Sequence, residues 1–450
     1  MNKLNRERTL KRGLLIAALA AACTNVPAPN TAPVRVLTPA PPLSSLEVQI
    51  RVAVSAHYAE SVTLLQKSVD IQSQTLDLPG VRRLADLYIP ELRALGFDAR
   101  WIPLPDSVHR AGPLVAFHPG TKGPRILLIG HLDTVFEGEG LGWSVTDSIG
   151  HGAGSSDMKG GDVAIILALR ALNDAGRLKE MNVIVVMTGD EESAGRPLSV
   201  TRAALFDAAK QSDLALGFEG GSRTLVSPGR RGSSNWTLRV TARQSHSAGI
   251  FGNGTGFGAT YEGVRILDEF RRQMAGERGL TFNVGLVAGG VHVALDSTGW
   301  ALTADGKGNA VPPIFVAKGD LRFLTEGQKD STRARMRAIV AQPLAGATPT
   351  IEFEDSYPAM PVTPDGTRLT SMFDEASRSL GYPAVVAQDP ESRGAGDISF
   401  VAPFIPGIDG LGVLGGGAHS PRETVNLPSL KMQAERAAVL MSRLVDGWKQ

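Results

Sequence analysis

Three short apolar runs constrain the fold of this 450-residue chain more than any other feature. Runs of this kind, separated by segments with helical periodicity, are typical of parallel strands that are buried on both faces. They read RILLIG at 125–130, NVIVVMTG at 182–189 and LALGF at 214–218. The sequence therefore predicts an α/β fold with a mostly parallel sheet flanked by helices.

Acidic residues and histidines stand at the carboxyl ends of these runs, where a buried strand has no structural need for them. In an open α/β sheet, ligands bind outside the carboxyl ends of the strands, so these side chains should converge. Unpaired carboxylates at such a place are costly unless a cation compensates their charge. Two glycine-rich segments add one further acid and one further histidine. The complete set is His131, Asp133, Asp157, Glu191, Glu192, Glu219 and His419.

Two histidines and three carboxylates of this set suit two zinc ions, because zinc prefers such nitrogen and oxygen ligands. His131, Asp157 and Glu219 are expected on one ion. Asp157, Glu192 and His419 are expected on the other. The charges support this arrangement, since two zinc ions balance three carboxylates and one bridging hydroxide. Cobalt suits the same ligands, so the pattern does not decide between the two metals.

Five motifs carry these residues in a fixed order along the chain. They are HLDTV at 131–135, DMKGG at 157–161, DEE at 190–192, FE at 218–219 and AHS at 418–420. This series resembles the co-catalytic dizinc peptidase family of carboxypeptidase G, aminoacylase, acetylornithine deacetylase and succinyl-diaminopimelate desuccinylase. The resemblance extends from about residue 46 to the C-terminus and looks closest to the carboxypeptidase G-like members. It implies a dizinc exopeptidase catalytic domain with an inserted α+β domain that serves as lid and dimerisation surface.

The resemblance also implies roles for residues that do not bind metal. Glu191 would be the general base that activates a metal-bridging hydroxide. Asp133 would accept a hydrogen bond from the imidazole of His131 and fix its tautomer. His246, in the lid segment QSHSAG, would stabilise the oxyanion in the site of a partner subunit. The alternative for His246 is a surface histidine with no effect on the rate.

Three residues are candidates for substrate binding. Asn309 in GNAVPP and Arg322 in GDLRF resemble lid motifs of the family, and a structural strand residue is the alternative for each. The carboxypeptidase G-like members carry a basic residue shortly after the lid, where this chain has Tyr357. Arg393, or Arg223 after EGGS, would then grip a substrate carboxylate bidentately in its place.

The leading hypothesis is a dizinc, carboxypeptidase-like metallopeptidase that hydrolyses an amide bond in peptidyl or N-acyl amino acids. A dizinc aminopeptidase ranks second, because such enzymes usually lack an inserted lid and often have Asp where this chain has Glu219. A deacylase of small metabolites is the third alternative. An inactive surface binding module is the alternative from another class, and the retention of Glu191 with all five ligands argues against it.

The first 23 residues have the pattern of a bacterial export signal. Basic residues precede an apolar run at 13–22, which is too short to span a bilayer, and the single cysteine, Cys23, follows it. This arrangement resembles a lipoprotein signal in which the cysteine becomes the lipidated N-terminus. Cleavage after Ala22 without lipidation is the alternative. We expect an exported bacterial protein that is periplasmic or is attached to the outer membrane by a lipid anchor alone.

Composition and pattern divide the rest of the chain into four segments. Residues 24–45 are a proline-rich linker, 46–229 the first part of the catalytic domain, 230–356 the lid and dimerisation domain, and 357–450 the second catalytic part. The net charge of +1 argues against a nucleic-acid partner held by bulk electrostatics. The strand NWTLRVTA at 235–242 is expected at a sheet edge, where pairing in a symmetric homodimer would cover it.

Overall fold

The structure of the protein, a computed structural model, describes residues 39–135, 142–296, 299 and 301–448. The predicted signal peptide and most of the predicted linker lie outside these residues, so export and the lipid anchor stay predictions. The described residues from Pro41 onward form one compact unit. Within the part of the chain that is described, no helix is both long enough and apolar enough to cross a membrane.

Helices and strands alternate along much of the described chain. The α-helices are α1 (Ser45–Asp70), α2 (Leu78–Ala94), α3 (Lys159–Asp174), α4 (Leu198–Thr201), α5 (Ala203–Lys210), α6 (Gly258–Met274), α7 (Glu326–Val340), α8 (Pro364–Ser379), α9 (Ile398–Val401) and α10 (Leu427–Gly447). The strands are β1 (Asp98–Trp101), β2 (Leu114–His118), β3 (Lys122–His131), β4 (Ser144–Thr146), β5 (Ile149–His151), β6 (Met181–Thr188), β7 (Leu214–Gly217), β8 (Leu225–Val226), β9 (Gly232–Ala242), β10 (Ser245–His246), β11 (Thr281–Phe282), β12 (Leu286–Gly290), β13 (His292–Leu295), β14 (Leu302–Asp305), β15 (Ala310–Val311), β16 (Ile314–Phe323), β17 (Ala347–Asp355), β18 (Val386–Ala387), β19 (Gly407–Ile408), β20 (Gly415–Gly416) and β21 (Thr424–Asn426).

The three predicted apolar runs form neighbouring strands at the centre of a six-stranded sheet. The strand order is β1-β2-β6-β3-β7-β19, and β3 pairs in parallel with both β6 and β7. Strand β19 is also parallel to β7, whereas β1 and β2 form an antiparallel edge. Every residue of β7 and all but one residue of β6 are buried, as continuous apolar runs predict. The mostly parallel sheet flanked by helices is therefore confirmed.

Helix α3 begins close to the carboxyl end of β7 because a glycine permits the approach. A Cβ atom at Gly161 would lie only 2.1 Å from the carbonyl oxygen of Phe218, so no larger residue fits there. Helices α1 and α10 pack on α3 within the main hydrophobic core. This packing holds the start of α3 beside Glu219. It also holds there the preceding loop, which carries Asp157.

A second sheet lies within residues 230–356. Its strand order is β11-β16-β9-β17, and β12 also pairs with β16. All of these pairs are antiparallel, and helices α6 and α7 pack against the sheet in a core that includes Trp236, Phe270 and Phe315. The segment is α+β, as predicted. The boundaries that separate a lid domain from the catalytic domain stay predictions.

The strand at 235–242 does not lie at a sheet edge, so that expectation was wrong. It belongs to β9, which pairs with β16 on one side and with β17 on the other. Alternation of polar and apolar residues indicates that one face of a strand is buried, and it carries no information about the neighbours to which the backbone hydrogen-bonds. Because β9 is paired on both sides, it has no free edge that a homodimer would need to cover, and it gives no support to the predicted homodimer.

Candidate metal centre and active site

The carboxyl ends of β3, β6 and β7 bring the predicted metal ligands together. His131 is the last residue of β3, whereas Glu192 and Glu219 follow β6 and β7. Loops supply the other two, Asp157 before α3 and His419 between β20 and β21. Within each of two groups, the candidate ligand atoms all lie within 4.8 Å of one another; the groups are His131, Asp157 and Glu219, and Asp157, Glu192 and His419.

Asp157 belongs to both groups and directs one carboxylate oxygen toward each. Its Oδ1 lies 3.4 Å from Nε2 of His131, and its Oδ2 lies 3.3 Å from Nε2 of His419. Nε2 of His419 is also 3.3 Å from Oε2 of Glu192, and Nε2 of His131 is 3.7 Å from Oε1 of Glu219. Two atoms bound tetrahedrally to one zinc ion at about 2.1 Å lie about 3.4 Å apart. These separations fit two zinc ions that share Asp157.

The hydrogen bonding and charge of the ligands also fit a metal. Nε2 of His131 and Oε1 of Glu192 are buried and have no hydrogen-bond partner among the described residues, which is costly unless a ligand satisfies them. Burial raises the pKa of Glu219 to about 7. Hydrogen bonds to Asp157 and Glu192 raise the pKa of His419 to about 10. Protons and metal ions therefore compete for the same atoms, and metal binding would release protons.

Asp133 is fully buried and holds the backbone around the ligands. Its carboxylate accepts hydrogen bonds from the Thr75 hydroxyl at 2.6 Å and from the N–H groups of Glu191 and Glu192 at 2.9 and 3.1 Å. Nδ1 of His131 lies 3.0 Å from the carbonyl oxygen of Asp133 and 3.5 Å from its carboxylate. The imidazole is therefore nearer to the backbone of Asp133, whose carboxylate mainly holds the Glu191–Glu192 dipeptide.

Glu423, which the sequence analysis missed, holds the loop that carries Asp157. Its buried carboxylate accepts hydrogen bonds from the N–H groups of Gly154 at 2.7 Å, Ser156 at 2.9 Å and Asp157 at 2.9 Å. Because Glu423 follows shortly after His419 in the chain, one loop supplies a candidate ligand and the group that orients the shared carboxylate. The position of Glu423 in the SPRETVN segment, four residues after the candidate ligand His419, is the feature of the sequence that could have identified it.

Four of the five candidate ligands, Asp157, Glu192, Glu219 and His419, line a cleft of about 370 Å³, and His131 is not part of its lining. Glu191 lines this cleft, and burial raises its pKa well above the usual range of a glutamate. Its carboxylate lies within 4.8 Å of the ligand atoms of His131 and Glu192, close enough to reach a water held among them. Much of the remaining lining is small: Ser156, Gly220, Gly221, Gly394, Ala395, Gly415, Gly416, Gly417 and Ala418.

Two arginines line the same cleft, and they differ in their partners. Arg230 pairs with Asp409 at 3.0 Å and donates a hydrogen bond to the carbonyl oxygen of Ala395 at 2.7 Å. The side chain of Arg393 has no hydrogen bond or ion pair with any described residue, although its Nε is buried. Arg223 lines a separate cleft. Of the two candidates for a carboxylate clamp, Arg393 is the one that faces the predicted ligands.

The three predicted lid residues do not line this cleft in the described part of the chain. His246 lies in β10, which pairs with β15, and its exposed imidazole accepts a hydrogen bond from the N–H of Ala248 at 3.1 Å. Asn309 immediately precedes β15, so the structure brings it close to His246. Arg322 donates a hydrogen bond to Asp320 within β16 at 2.8 Å.

Comparisons with known proteins agree with this architecture. The model of the peptidase family M20/M25/M40 matches residues 127–443. A succinyl-diaminopimelate desuccinylase of Rhodospirillum centenum is 26% identical over 361 residues, which are 75% of this chain and 86% of that protein. Carboxypeptidase G2 of Pseudomonas sp. strain RS-16 is 25% identical over 400 residues, 86% of this chain and 89% of that protein. The crystal structure of aminopeptidase PepT from Bacillus cereus is similar in fold, with a TM-score of 0.69 and 17% identity over 86% of this chain and 98% of the other.

Asp157→Asn should uncouple the two ligand groups, because the amide carries no charge and offers one oxygen in place of two. We expect about two zinc ions per chain in the unchanged protein, as a two-metal site requires, and less than one in the variant, together with loss of turnover. Zinc content after dialysis against a weak chelator measures this. Asp207→Asn, at an exposed position, is the matched control and should keep both ions. Full zinc loading of the Asp157 variant would show that this residue is not shared.

Proposed function

The chain belongs to peptidase family M20/M25/M40, and from this premise we propose that it is a dizinc, carboxypeptidase-like hydrolase of the amide bond in peptidyl or N-acyl amino acids. Its family and its relatives identify it as a metal-dependent hydrolase, which argues against an inactive binding module. The observation that carries the proposal is one cleft lined by four of the five candidate ligands, by Glu191 and by the unpaired Arg393.

The proposed metal ligands divide between two ions. His131, Asp157 and Glu219 would hold one zinc ion. Asp157, Glu192 and His419 would hold the other. When bound, the two ions would polarise the scissile carbonyl and lower the pKa of the attacking water. Cobalt suits the same ligands, so metal analysis of the isolated protein identifies the ion.

Glu191 is proposed to move the proton that the reaction requires. It would accept a proton from the attacking water and deliver it to the leaving amine. Burial, which raises the pKa of Glu191, favours acceptance of that proton. Asp133 supports this role because it binds the N–H of Glu191, and so limits the movement of the residue relative to the ligands.

Arg393 is proposed to bind the carboxylate of the substrate. An unpaired guanidinium in a partly enclosed cleft is costly, and a carboxylate satisfies it with two parallel hydrogen bonds. Glycine and alanine make up much of the other lining, and no aromatic side chain is part of it among the described residues. The cleft therefore favours short acyl or aminoacyl groups over bulky aromatic ones.

Deacylation of a small metabolite is the second candidate function. The similarity to a protein named succinyl-diaminopimelate desuccinylase favours it. The likeness to aminopeptidase PepT shows the fold alone, and the unpaired arginine gives no support to recognition of a free amino group. Initial rates on dipeptides and on N-acetyl and N-succinyl amino acids, each with free and amidated carboxylates, separate these functions.

The lid residues are proposed to act on the cleft of a partner subunit. The imidazole of His246 is exposed and lies outside the cleft of its own chain. In a dimer, this imidazole could instead reach the cleft of the second chain. Exposed Tyr261 on α6 and Val287 on β12 provide apolar surface on the same segment for a homodimer. Asn309, beside His246, and Arg322 are proposed substrate contacts on the strength of the family resemblance.

Glu191→Gln should leave both metal ions in place and lower kcat by about 10²- to 10⁴-fold, the usual contribution of a positioned general base. Glu192→Gln should instead weaken metal binding. Zinc content and kcat of both variants on the preferred dipeptide or N-acyl amino acid test the assignment. The reverse pattern would exchange the two roles, and full activity of the Glu191 variant would overturn the proposed mechanism.

Arg393→Ala should raise KM by about 10- to 100-fold for substrates with a free carboxylate, because a charge-assisted hydrogen-bond pair is lost. The effect should disappear with the amidated form of the same substrate. Arg223→Ala is the matched control, since that arginine lines a different cleft. An equal loss on free and amidated substrates would contradict carboxylate binding by Arg393.

Subunit mixing tests the role proposed for His246. In a dimer that acts in trans, His246→Ala and Glu191→Gln subunits would combine into one intact site per heterodimer. Statistical mixing should then restore about a quarter of the unmodified activity, because half of the dimers are mixed and half of their sites are intact. A monomeric protein, or a mixture no more active than its parents, would eliminate the trans role.

A further inference from the structure

A buried network of charged groups lies behind the Glu191–Glu192 dipeptide. Arg202 is fully buried and forms ion pairs with Asp190 at 2.5 Å and with Asp397 at 2.9 Å. Asp397 also accepts a hydrogen bond from Thr188, the last residue of β6. The loop that carries the dipeptide is therefore fixed to the end of its strand by a cation between two carboxylates.

Tyr357 extends this network to Glu191 itself. Its hydroxyl donates a hydrogen bond to the backbone carbonyl oxygen of Glu191, and Nη2 of Arg202 lies 3.5 Å from the hydroxyl oxygen. The tyrosine ring packs against Phe400 with centroids 5.0 Å apart, and the guanidinium of Arg202 lies over the same phenyl ring. The ring and the hydroxyl of Tyr357 are thus both held in place.

The peptide groups on both sides of the Glu191 Cα atom therefore form hydrogen bonds. Its N–H donates to the carboxylate of Asp133 at 2.9 Å, and its carbonyl oxygen accepts from Tyr357. With both flanking peptide groups fixed, rotation of the backbone at Glu191 is restricted, and the direction in which its side chain leaves the backbone is restricted with it. Tyr357 does not line the cleft, so this contact does not place it against a substrate.

Tyr357 stands where the segment of the second sheet joins the rest of the chain. It follows β17, and its carbonyl oxygen accepts a hydrogen bond from the N–H of Ser233, at the start of β9, at 2.8 Å. A few residues away, Arg230 and Met360 exchange backbone hydrogen bonds at 2.9 and 3.0 Å. Both connections of this segment are therefore tied together beside the tyrosine that contacts Glu191.

We propose that Tyr357 is a positioning residue for the reaction, which acts through the backbone of Glu191 and holds the carboxylate of Glu191 toward the cleft. The inference rests on the proposed role of Glu191 as general base.

Tyr357→Phe removes the hydroxyl and keeps the ring packing. We expect kcat to fall by about 3- to 10-fold, the effect of losing one hydrogen bond, with KM changed by less than about 2-fold, an unchanged metal content and a Tm lowered by only a few degrees. Tyr382→Phe, which removes a tyrosine hydroxyl that donates a hydrogen bond to Glu435 at 2.6 Å, is the matched control and should leave kcat unchanged. Unchanged kcat in the Tyr357 variant, or a parallel loss of Tm and metal, would overturn the inference.

A double-mutant cycle tests whether the effect passes through Glu191. In the Glu191→Gln background, Tyr357→Phe should lower the residual rate by less than about 2-fold, because the proton acceptor that it positions has been removed. Multiplication of the two single effects would contradict the inference. Full activity of the single Glu191→Gln variant would overturn the proposed function instead, so the two failures are distinguishable.

Discussion

The desolvation of several carboxylates around Asp157 is the constraint on which the rest of the site depends. Three parallel strands deliver acids and a histidine to the same sheet edge, and removal of each charge from water costs several kcal/mol. The molecule offsets this cost with partners that are fixed by the fold: backbone N–H groups for Asp133 and Glu423 and a guanidinium for Asp190. The ligand atoms that remain without such partners, on His131 and Glu192, are the ones that a cation would satisfy.

Asp133 and Glu423 are buried acids that orient the loops carrying the candidate ligands. Each is an acid whose oxygens are occupied by N–H groups of the loop that carries a candidate ligand. Asp133 holds the loop after β6, and Glu423 holds the loop before α3. A rigid loop costs less to order when a metal binds than a mobile one would, so these two acids favour binding although neither belongs to a candidate ligand group.

The sequence predicted the parts of the structure that follow from local pattern. Continuous apolar runs predicted β3, β6 and β7, and the convergence of strand ends predicted which acids and histidines would meet. The position of β9 could not be predicted in this way, because its alternation reports burial and not pairing. The contact of Tyr357 with Glu191 joins residues 166 positions apart, and a hydroxyl bound to a backbone carbonyl leaves no pattern in sequence.

Tyr357 and Arg393 contribute to different parts of the site. Tyr357 contacts the backbone of Glu191, while Arg393 supplies a positive charge to the cleft from another loop. Burial and the neighbouring Arg230 lower the pKa of Arg393, which means that its charged form is destabilised. A carboxylate partner would stabilise that charged form. The candidate ligand groups are rich in carboxylates, whereas Arg393 has no ion-pair partner among the described residues. Under the proposed function, the carboxylate of a substrate would pair with Arg393 while the amide of the substrate faces the candidate ligands.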